Sequence, residues 1–127
     1  MTTDFSMEDL SKAIGKLKNN KAAGLDRIPA ELIKNSTEPV KILILKIMNK
    51  LKDCWLYPKL WALGITTLLH KEGDENDPNN YRAITITSAS SKILAIMLNE
   101  RLEVHCKQNN IICKEQIGFE KHITILH

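Results

Sequence analysis

Long apolar runs are missing from this sequence of 127 residues. Even the longest, Ile93 to Leu98, is far shorter than the roughly 20 apolar residues that a helix needs to cross a bilayer, and Ile42 to Leu45 is shorter still. The first residues, M-T-T-D-F, also lack the basic and apolar regions of a secretory signal peptide. We therefore expect an intracellular protein, in the cytoplasm or the nucleus, that makes no membrane contact.

Cysteine is scarce, and its spacing matches no known framework. The three residues Cys54, Cys106 and Cys113 are odd in number and include no C-x-x-C pair, so they fit neither a disulfide scaffold nor a zinc knuckle. A metal site around His105, Cys106 and Cys113 would lack a fourth ligand. Reduced structural thiols are the simpler interpretation.

The short motifs of common nucleotide and metal sites are absent too. No Walker loop, dinucleotide-binding glycine pattern or H-E-x-x-H sequence is present. The stretch D-E-N-D-P-N-N begins like a calcium loop at Asp74 and Asn76. However, Pro78 occupies its fifth position, and the required glycine and distal Glu are missing.

The composition is that of a soluble globular chain, with 43% hydrophobic and 26% charged residues. We find no repeat, low-complexity segment or linker, so residues 1–127 are predicted to form a single domain or part of one. The net charge of +3 is uneven, since residues 1–60 hold 11 basic against 7 acidic side chains. This excess is compatible with contact to a phosphate backbone but does not require it.

The first predicted helix begins after Ser6, which suits the N-cap position. Asp9, three residues later, can complete a capping box with it. Phe5 is positioned to pack against Leu10, and the helical spacing continues to about Lys18. A loop follows over residues 19–26.

In that loop, Gly24 is available for a positive φ angle. Pro29 then suits the first turn of a short helix over residues 30–34. A longer helix, from about residue 38 to 55, carries apolar residues on more than one side, so we expect it to be sandwiched inside the fold. A last long helix should start from a cap at Ser88 or Ser90.

Two β-rich runs, Gly64 to Lys71 and Arg82 to Thr87, flank a ten-residue spacer that contains Gly73, Pro78 and three Asn. Such residues favour turns, so the pattern predicts an antiparallel hairpin with a long, wet loop. We expect this hairpin to pack on the long helices.

Strand alternation places Lys71 on the face of Ile65 and Leu69, and Arg82 on the face of Ile84 and Ile86. If the apolar members form a core face, the two cations converge beside the loop. An ammonium and a planar guanidinium together suit a polyphosphate. The alternative is two solvated charges at strand ends.

Several ordered motifs carry a family resemblance. They are K-A-I-G-K-L-K-N-N-K-A-A-G-L-D-R-I-P-A-E-L-I-K, K-E-G-D, N-N-Y-R-A-I, S-A-S-S-K-I-L, L-N-E-R-L and Q-I-G-F. Together, from about Phe5 to Phe119, they resemble the N-terminal fingers region of reverse transcriptases of non-LTR, LINE-like retrotransposons. The resemblance implies an α+β fold, mostly helical with a small antiparallel hairpin.

The resemblance also implies roles for particular residues. Lys71 and Arg82 would be triphosphate ligands, with Gln116, Gly118 and Phe119 near the template base and the incoming deoxynucleotide. Three further cations would contact the RNA template: Lys21, Arg27 and Arg101. Ordinary surface cations are the alternative for Lys21 and Arg27, and a helix-surface salt bridge with Glu100 or Glu103 is the alternative for Arg101.

The sequence departs from the family pattern at four positions. Ala23 stands where Pro is usual, Arg27 where a small residue is usual, Glu72 where a second Lys is common, and Ala83 where Pro or Gly is common. Glu72 lowers the positive potential beside Lys71.

Catalysis in this family needs two divalent ions held by palm carboxylates. The sequence has no adjacent Asp pair, and its last Asp is Asp77, inside the hairpin loop. We therefore expect no catalytic residue, no metal or other cofactor bound by this chain alone, and Mg²⁺ only together with a palm. The alternatives are a non-catalytic RNA-binding or protein-interaction module, which could dock onto an intact polymerase, and a functionless remnant.

Overall fold

A computed structural model describes residues 3–111 of the chain. Its helices are α1 (Met7–Lys16), α2 (Ala30–Lys34), α3 (Glu38–Cys54), α4 (Lys59–Ala62) and α5 (Ala89–Gln108), and its strands are β1 (Ile65–His70) and β2 (Tyr81–Ile86). The strands pair in one antiparallel sheet. The predicted α+β fold is confirmed. Among the described residues, no helix is both long and apolar enough to cross a membrane.

The start of α1 has the predicted capping box. The backbone N–H of Asp9 donates to Ser6 Oγ at 3.2 Å, and the backbone N–H of Ser6 donates to Asp9 Oδ2 at 2.9 Å. Phe5 and Leu10, on either side of the cap, are both buried in the core. The entry of the chain into α1 is therefore determined by local sequence.

The core lies where α1 and α5 meet, with α2 and α3 beside them. Its buried apolar side chains are Phe5, Leu10, Ala13, Ile14, Leu17, Ile33, Met48, Ala89, Ile93, Leu94 and Met97. In α1 and α5 these positions recur at helical spacing, so each of these two helices contributes one stripe, while α2 and α3 each contribute a single buried residue. α5 starts at Ser88, whose Oγ accepts from the Ser91 N–H at 3.0 Å, which selects Ser88 over Ser90 as the cap.

Helix α3 is not sandwiched inside the fold, so that prediction is wrong. Met48 is its one buried residue among those the structure describes, while Val40, Ile42, Leu43 and Ile47 are exposed. Apolar residues occur on several sides of α3, but the rest of the core covers only the side that carries Met48. Hydrophobic residues on one helix cannot specify how many neighbours cover it.

The hairpin forms in the predicted place, and the structure pairs Ile65 with Ile86 and Leu69 with Arg82. Its expected core face is nevertheless open, since Ile65 is 40%, Leu69 54% and Ile84 42% exposed. The prediction that the hairpin packs on the long helices is therefore wrong for most of its length. The strands satisfy each other's backbone groups, so they can extend away from the core without unpaired donors.

The loop between the strands is built from its own side chains. Asp74 Oδ1 accepts from the Asn76 N–H at 3.0 Å, and Asp77 Oδ1 accepts from the Asn79 N–H at 2.9 Å. Such Asx turns hold the backbone locally. Gly73 has a φ of +92°, and Pro78–Asn80 form a short 3-10 helix. The loop is long and exposed to solvent, as predicted, and its own side chains also order it.

Candidate nucleotide and nucleic-acid interface

Lys71 and Arg82 occupy the loop-proximal end of the hairpin, as the alternation predicts. Arg82 lies opposite Leu69, and the Lys71 N–H continues the ladder by donating to the Asn80 carbonyl at 2.8 Å. Both side chains are exposed. Neither forms an ion pair with any residue in the range 3–111. Two cations without an ion-pair partner in this range therefore stand beside the ordered loop, and the neighbouring Glu72 lowers the positive potential that they present to an anion.

The loop over residues 17–28 is held at both ends. Lys34 Nζ donates to Asn19 Oδ1 at 2.7 Å, and Asp26 Oδ1 accepts from the Ile28 N–H at 3.2 Å. The Asn20 N–H donates to the carboxylate of Glu31, which lowers the pKa of Glu31 below its ordinary value of 4.5. The loop therefore has a defined shape.

Lys21 and Arg27, the predicted template contacts, are both exposed on this loop. Arg27 has a φ of 57°, and its N–H donates to the Gly24 carbonyl at 3.0 Å. Within the described part of the chain, neither side chain has an ion-pair partner.

Gly24 matters for a reason that differs from the sequence prediction. The positive φ angles of the loop belong to Asn20 and Arg27, not to Gly24. Gly24 is buried, and a Cβ atom there would lie 2.7 Å from the Ser88 backbone nitrogen and 2.9 Å from the Thr87 carbonyl carbon. Only a residue without a side chain permits this approach. The contact attaches the loop to the junction of β2 and α5.

The Arg101 side chain contacts residues of the N-terminal segment and of α1. Its guanidinium lies 4.2 Å from the centre of the Phe5 ring, donates to the backbone carbonyls of Thr3 and of Asp4 (2.7 Å to Asp4), and approaches Asp9 Oδ2 at 3.8 Å. Neither neighbour expected from the sequence, Glu100 or Glu103, is its partner in these contacts. Arg101 therefore holds the N-terminal segment against α5.

Gln116, Gly118 and Phe119 lie outside the described residues, as does Cys113. In the described range, no group of three or more His, Cys, Asp or Glu side chains could hold a metal ion. These residues thus do not fit a magnesium site, and no chemical step is assigned to one.

A groove that the sequence did not predict lies next to the loop. It has a volume of about 640 Å³ and is bounded by the end of α1, the loop over residues 17–28, the base of the hairpin and α5. Its lining includes Lys18, Lys21, Ile84, Ile86 and Lys92. Lys92 sits within the S-A-S-S-K-I-L motif, but only the tertiary structure brings it near Lys18 and Lys21.

The similarity to known proteins extends over almost the whole chain, although no family model matches it. The chain is 28% identical over 125 residues to the probable RNA-directed DNA polymerase from transposon X-element of Drosophila melanogaster. The aligned residues make up 97% of this chain and 14% of that protein. It is 26% identical to the probable RNA-directed DNA polymerase from transposon BS of the same fly, over 94% of this chain and 13% of that protein. The RNA-directed DNA polymerase from mobile element jockey is 28% identical over 90% of this chain and 13% of its own length.

These relatives define the class: the chain is similar to RNA-directed DNA polymerases. More particularly, they are the polymerases of non-LTR retrotransposons, so the resemblance of the motifs to reverse transcriptases of this kind is confirmed, while the assignment to the fingers region stays a prediction. The chain spans about one seventh of the length of the relatives that it matches.

Proposed function

We propose that this chain is the fingers part of a retrotransposon RNA-directed DNA polymerase, contacting the incoming nucleotide and the RNA template. The observation that carries the proposal is the pair of exposed, unpaired cations Lys71 and Arg82 beside an ordered loop. The similarity to polymerases over 97% of the chain supports this interpretation of the pair.

In this proposal Lys71 and Arg82 bind the triphosphate. The guanidinium of Arg82 can donate two parallel hydrogen bonds to phosphate oxygens, while Lys71 acts as a point charge. Lys21 and Arg27 contact the template backbone, and the segment Gln116 to Phe119 contributes near the template base. Arg101 supports the site indirectly, because its contacts are inside the protein.

The catalytic carboxylates and the Mg²⁺ that they bind belong, in this proposal, to polymerase sequence outside this chain. The relatives are about seven times longer and offer room for such a palm. A triphosphate held only from the fingers side binds weakly, because nothing holds the metal ions that bridge triphosphate and protein. Polymerisation by this chain alone is therefore not part of the proposal.

The test uses a chimeric polymerase in which this chain replaces the matching segment of the jockey polymerase. Primer extension with Arg82→Ala should raise the KM for deoxynucleotide by about 10-fold or more, since a charge-assisted hydrogen bond contributes about 1.5–3 kcal/mol. Lys21→Ala should change this KM by less than about threefold, because an exposed contact to the template backbone does not touch the triphosphate.

Lys46→Ala is the charge-matched control, because Lys46 is exposed on α3, away from the hairpin and the loop. It should leave the KM for deoxynucleotide unchanged. Equal effects of the Arg82 and Lys21 substitutions would refute the assignment of Arg82 to the triphosphate.

A further inference from the structure

The loop end of the hairpin receives little support from the helical core. Leu68 and Leu69, near that end of β1, are 65% and 54% exposed. A two-stranded sheet without such support is only marginally stable in water. Lys71 and Arg82 nevertheless stand at this end, and ordering two ligands at the moment of binding costs free energy. The loop end therefore needs a source of rigidity of its own.

His70 and Tyr81 form a ring contact across the strands at this end. Their ring centres lie 5.2 Å apart, with an angle of 61° between the ring planes. The Lys71 N–H donates to the Asn80 carbonyl at 2.8 Å, so these two residues form a hydrogen-bonded pair. The next pair, His70 with Tyr81, is then of the non-hydrogen-bonded kind, in which side chains lie closest. An edge-to-face ring contact at such a position stabilises the pairing of the strands.

The Tyr81 side chain also reaches the loop. Its hydroxyl donates to the Glu75 backbone carbonyl at 2.8 Å, six residues earlier in the chain. Asn80 makes a similar contact, since its Nδ2 donates to the Asp74 carbonyl at 2.9 Å. Through these two hydrogen bonds, the residues that directly precede Arg82 hold the first half of the loop against the strand.

Burial agrees with a packing role for the two rings. His70 is half-buried, whereas the other five residues of β1 are exposed. Tyr81 is half-buried as well, at the start of β2. The His70 Nε2 atom is buried and has no hydrogen-bond partner among residues 3–111. An unpaired buried nitrogen costs stability, so His70 contributes through its ring contact and not through a hydrogen bond at Nε2.

Strand alternation puts the ring pair behind the cations. Successive side chains of a strand point to opposite faces, so Tyr81 and Arg82 lie on opposite faces of the hairpin. The same holds for His70 and Lys71, because Lys71 continues the ladder. The rings can thus fix the backbone beneath the cations without occupying the face that the cations present to a triphosphate.

We propose that His70 and Tyr81 are positioning residues of the triphosphate site, which hold Lys71 and Arg82 at a fixed spacing through the strand backbone. The inference rests on the proposed function, because that function makes the two cations triphosphate ligands. Neither ring touches the nucleotide. Their loss raises the KM for deoxynucleotide and leaves kcat nearly unchanged, because a site that must be ordered on binding loses affinity and not chemistry.

The test uses primer extension by the chimeric polymerase described above, at varied deoxynucleotide concentration. Tyr81→Phe keeps the ring and removes the hydrogen bond to Glu75. It should raise the KM for deoxynucleotide by about three- to fivefold and change kcat by less than about twofold.

Tyr57→Phe is the matched control. Tyr57 also makes an edge-to-face ring contact, with Trp61, but it is 50% exposed and lies before α4, outside the hairpin. Its hydroxyl has no hydrogen-bond partner in the described part of the chain. Removing that hydroxyl should leave both KM and kcat unchanged. Melting curves of the full 127-residue chain show that each variant is folded.

Substitutions of His70 test the ring contact separately. His70→Phe keeps an aromatic partner for Tyr81 and removes the unpaired nitrogen, so the KM for deoxynucleotide should stay within about twofold of the parent value. His70→Ala removes the ring and should raise this KM by about threefold or more. Equal KM values for the two His70 variants would overturn the role of the ring contact.

A double substitution separates positioning from other effects of Tyr81. In an Arg82→Ala background the cation that Tyr81 positions is missing, so Tyr81→Phe should raise the KM for deoxynucleotide by less than about twofold. A further three- to fivefold increase in that background would overturn the proposal. So would an effect of Tyr81→Phe no larger than that of Tyr57→Phe.

Failure of the positioning role and failure of the proposed function give different results. If Arg82→Ala raises the KM for deoxynucleotide while Tyr81→Phe behaves like Tyr57→Phe, only the positioning assignment falls. If Arg82→Ala leaves this KM unchanged, the triphosphate assignment itself falls, and the ring pair has no ligand site to position.

Discussion

Gly24 packs against the backbone of Ser88 so closely that a Cβ atom on Gly24 would lie 2.7 Å from the Ser88 nitrogen. Ser88 is fully buried and caps α5, so it cannot move aside without disturbing that helix. Gly24→Ala should therefore lower the free energy of unfolding by about 1–3 kcal/mol, the range for overpacking a tight site. Urea denaturation followed by circular dichroism measures the loss.

The chain contains a matched control for this substitution. Gly15 lies in α1, and a Cβ atom there would meet nothing within 4 Å. Gly15→Ala should raise the free energy of unfolding by about 0.5–1 kcal/mol, because alanine loses less conformational entropy in a helix. Similar losses in both variants would contradict the close approach of Gly24 to Ser88.

Arg101 should be important for stability through the N-terminal segment that it holds. Arg101→Lys keeps the charge but loses the planar contact with Phe5 and one of the hydrogen bonds to the Thr3 and Asp4 carbonyls. We expect a loss of about 1–2 kcal/mol in the free energy of unfolding. Arg27→Lys, at an exposed arginine, should change it by less than about 0.5 kcal/mol. Equal stability of the two variants would exclude this role for Arg101.

Two positions on helix α3 should differ in how far substitution by alanine lowers the free energy of unfolding. Met48 is 1% exposed, so Met48→Ala should lower the free energy of unfolding by about 2–5 kcal/mol through loss of burial and a residual cavity. Leu43 is 57% exposed on the same helix, and Leu43→Ala should cost less than about 0.5 kcal/mol. A large loss at Leu43 in the isolated chain would instead support the sandwiched helix predicted from sequence.

The contact between Glu31 and Asn20 predicts a pH dependence of stability. The Asn20 N–H lowers the pKa of Glu31 in the folded chain below 4.5, so the unfolded state binds the proton more readily. The stabilisation is therefore present above the ordinary pKa and disappears as the pH falls through the lowered value. Glu31→Gln should be less stable than the parent chain at neutral pH. The two melting temperatures should converge on acidification, and a constant difference down to the lowest pH would contradict the assignment.

Local chemistry explains why much of the fold was predictable. The capping box of Ser6 and Asp9 depends on residues three positions apart, and the sequence therefore contains all of it. The same holds for the short helix behind Pro29 and for the hairpin. There the turn-forming spacer sets the place of the turn, and strand alternation sets which residues share a face. The loop-proximal placement of Lys71 and Arg82 follows from the place of the turn, whereas the cross-strand pairs are seen only in the structure.

Contacts between distant segments were not predictable. Arg101 reaches Phe5, and Gly24 reaches Ser88, although each pair is far apart in sequence and carries no local signal. The burial of α3 and the exposure of the hairpin could not be predicted either. Both depend on which other segments of the fold pack against them.

The sequence by itself determined the long helices, the short helix after Pro29, the hairpin and the cations at its loop end, because helix caps, turns and strand alternation are short-range properties. Only the tertiary structure decided the groove of Lys18, Lys21 and Lys92, the burial of Gly24 and the internal role of Arg101. These features arise from packing between segments tens of residues apart, and packing depends on the shape of the whole core.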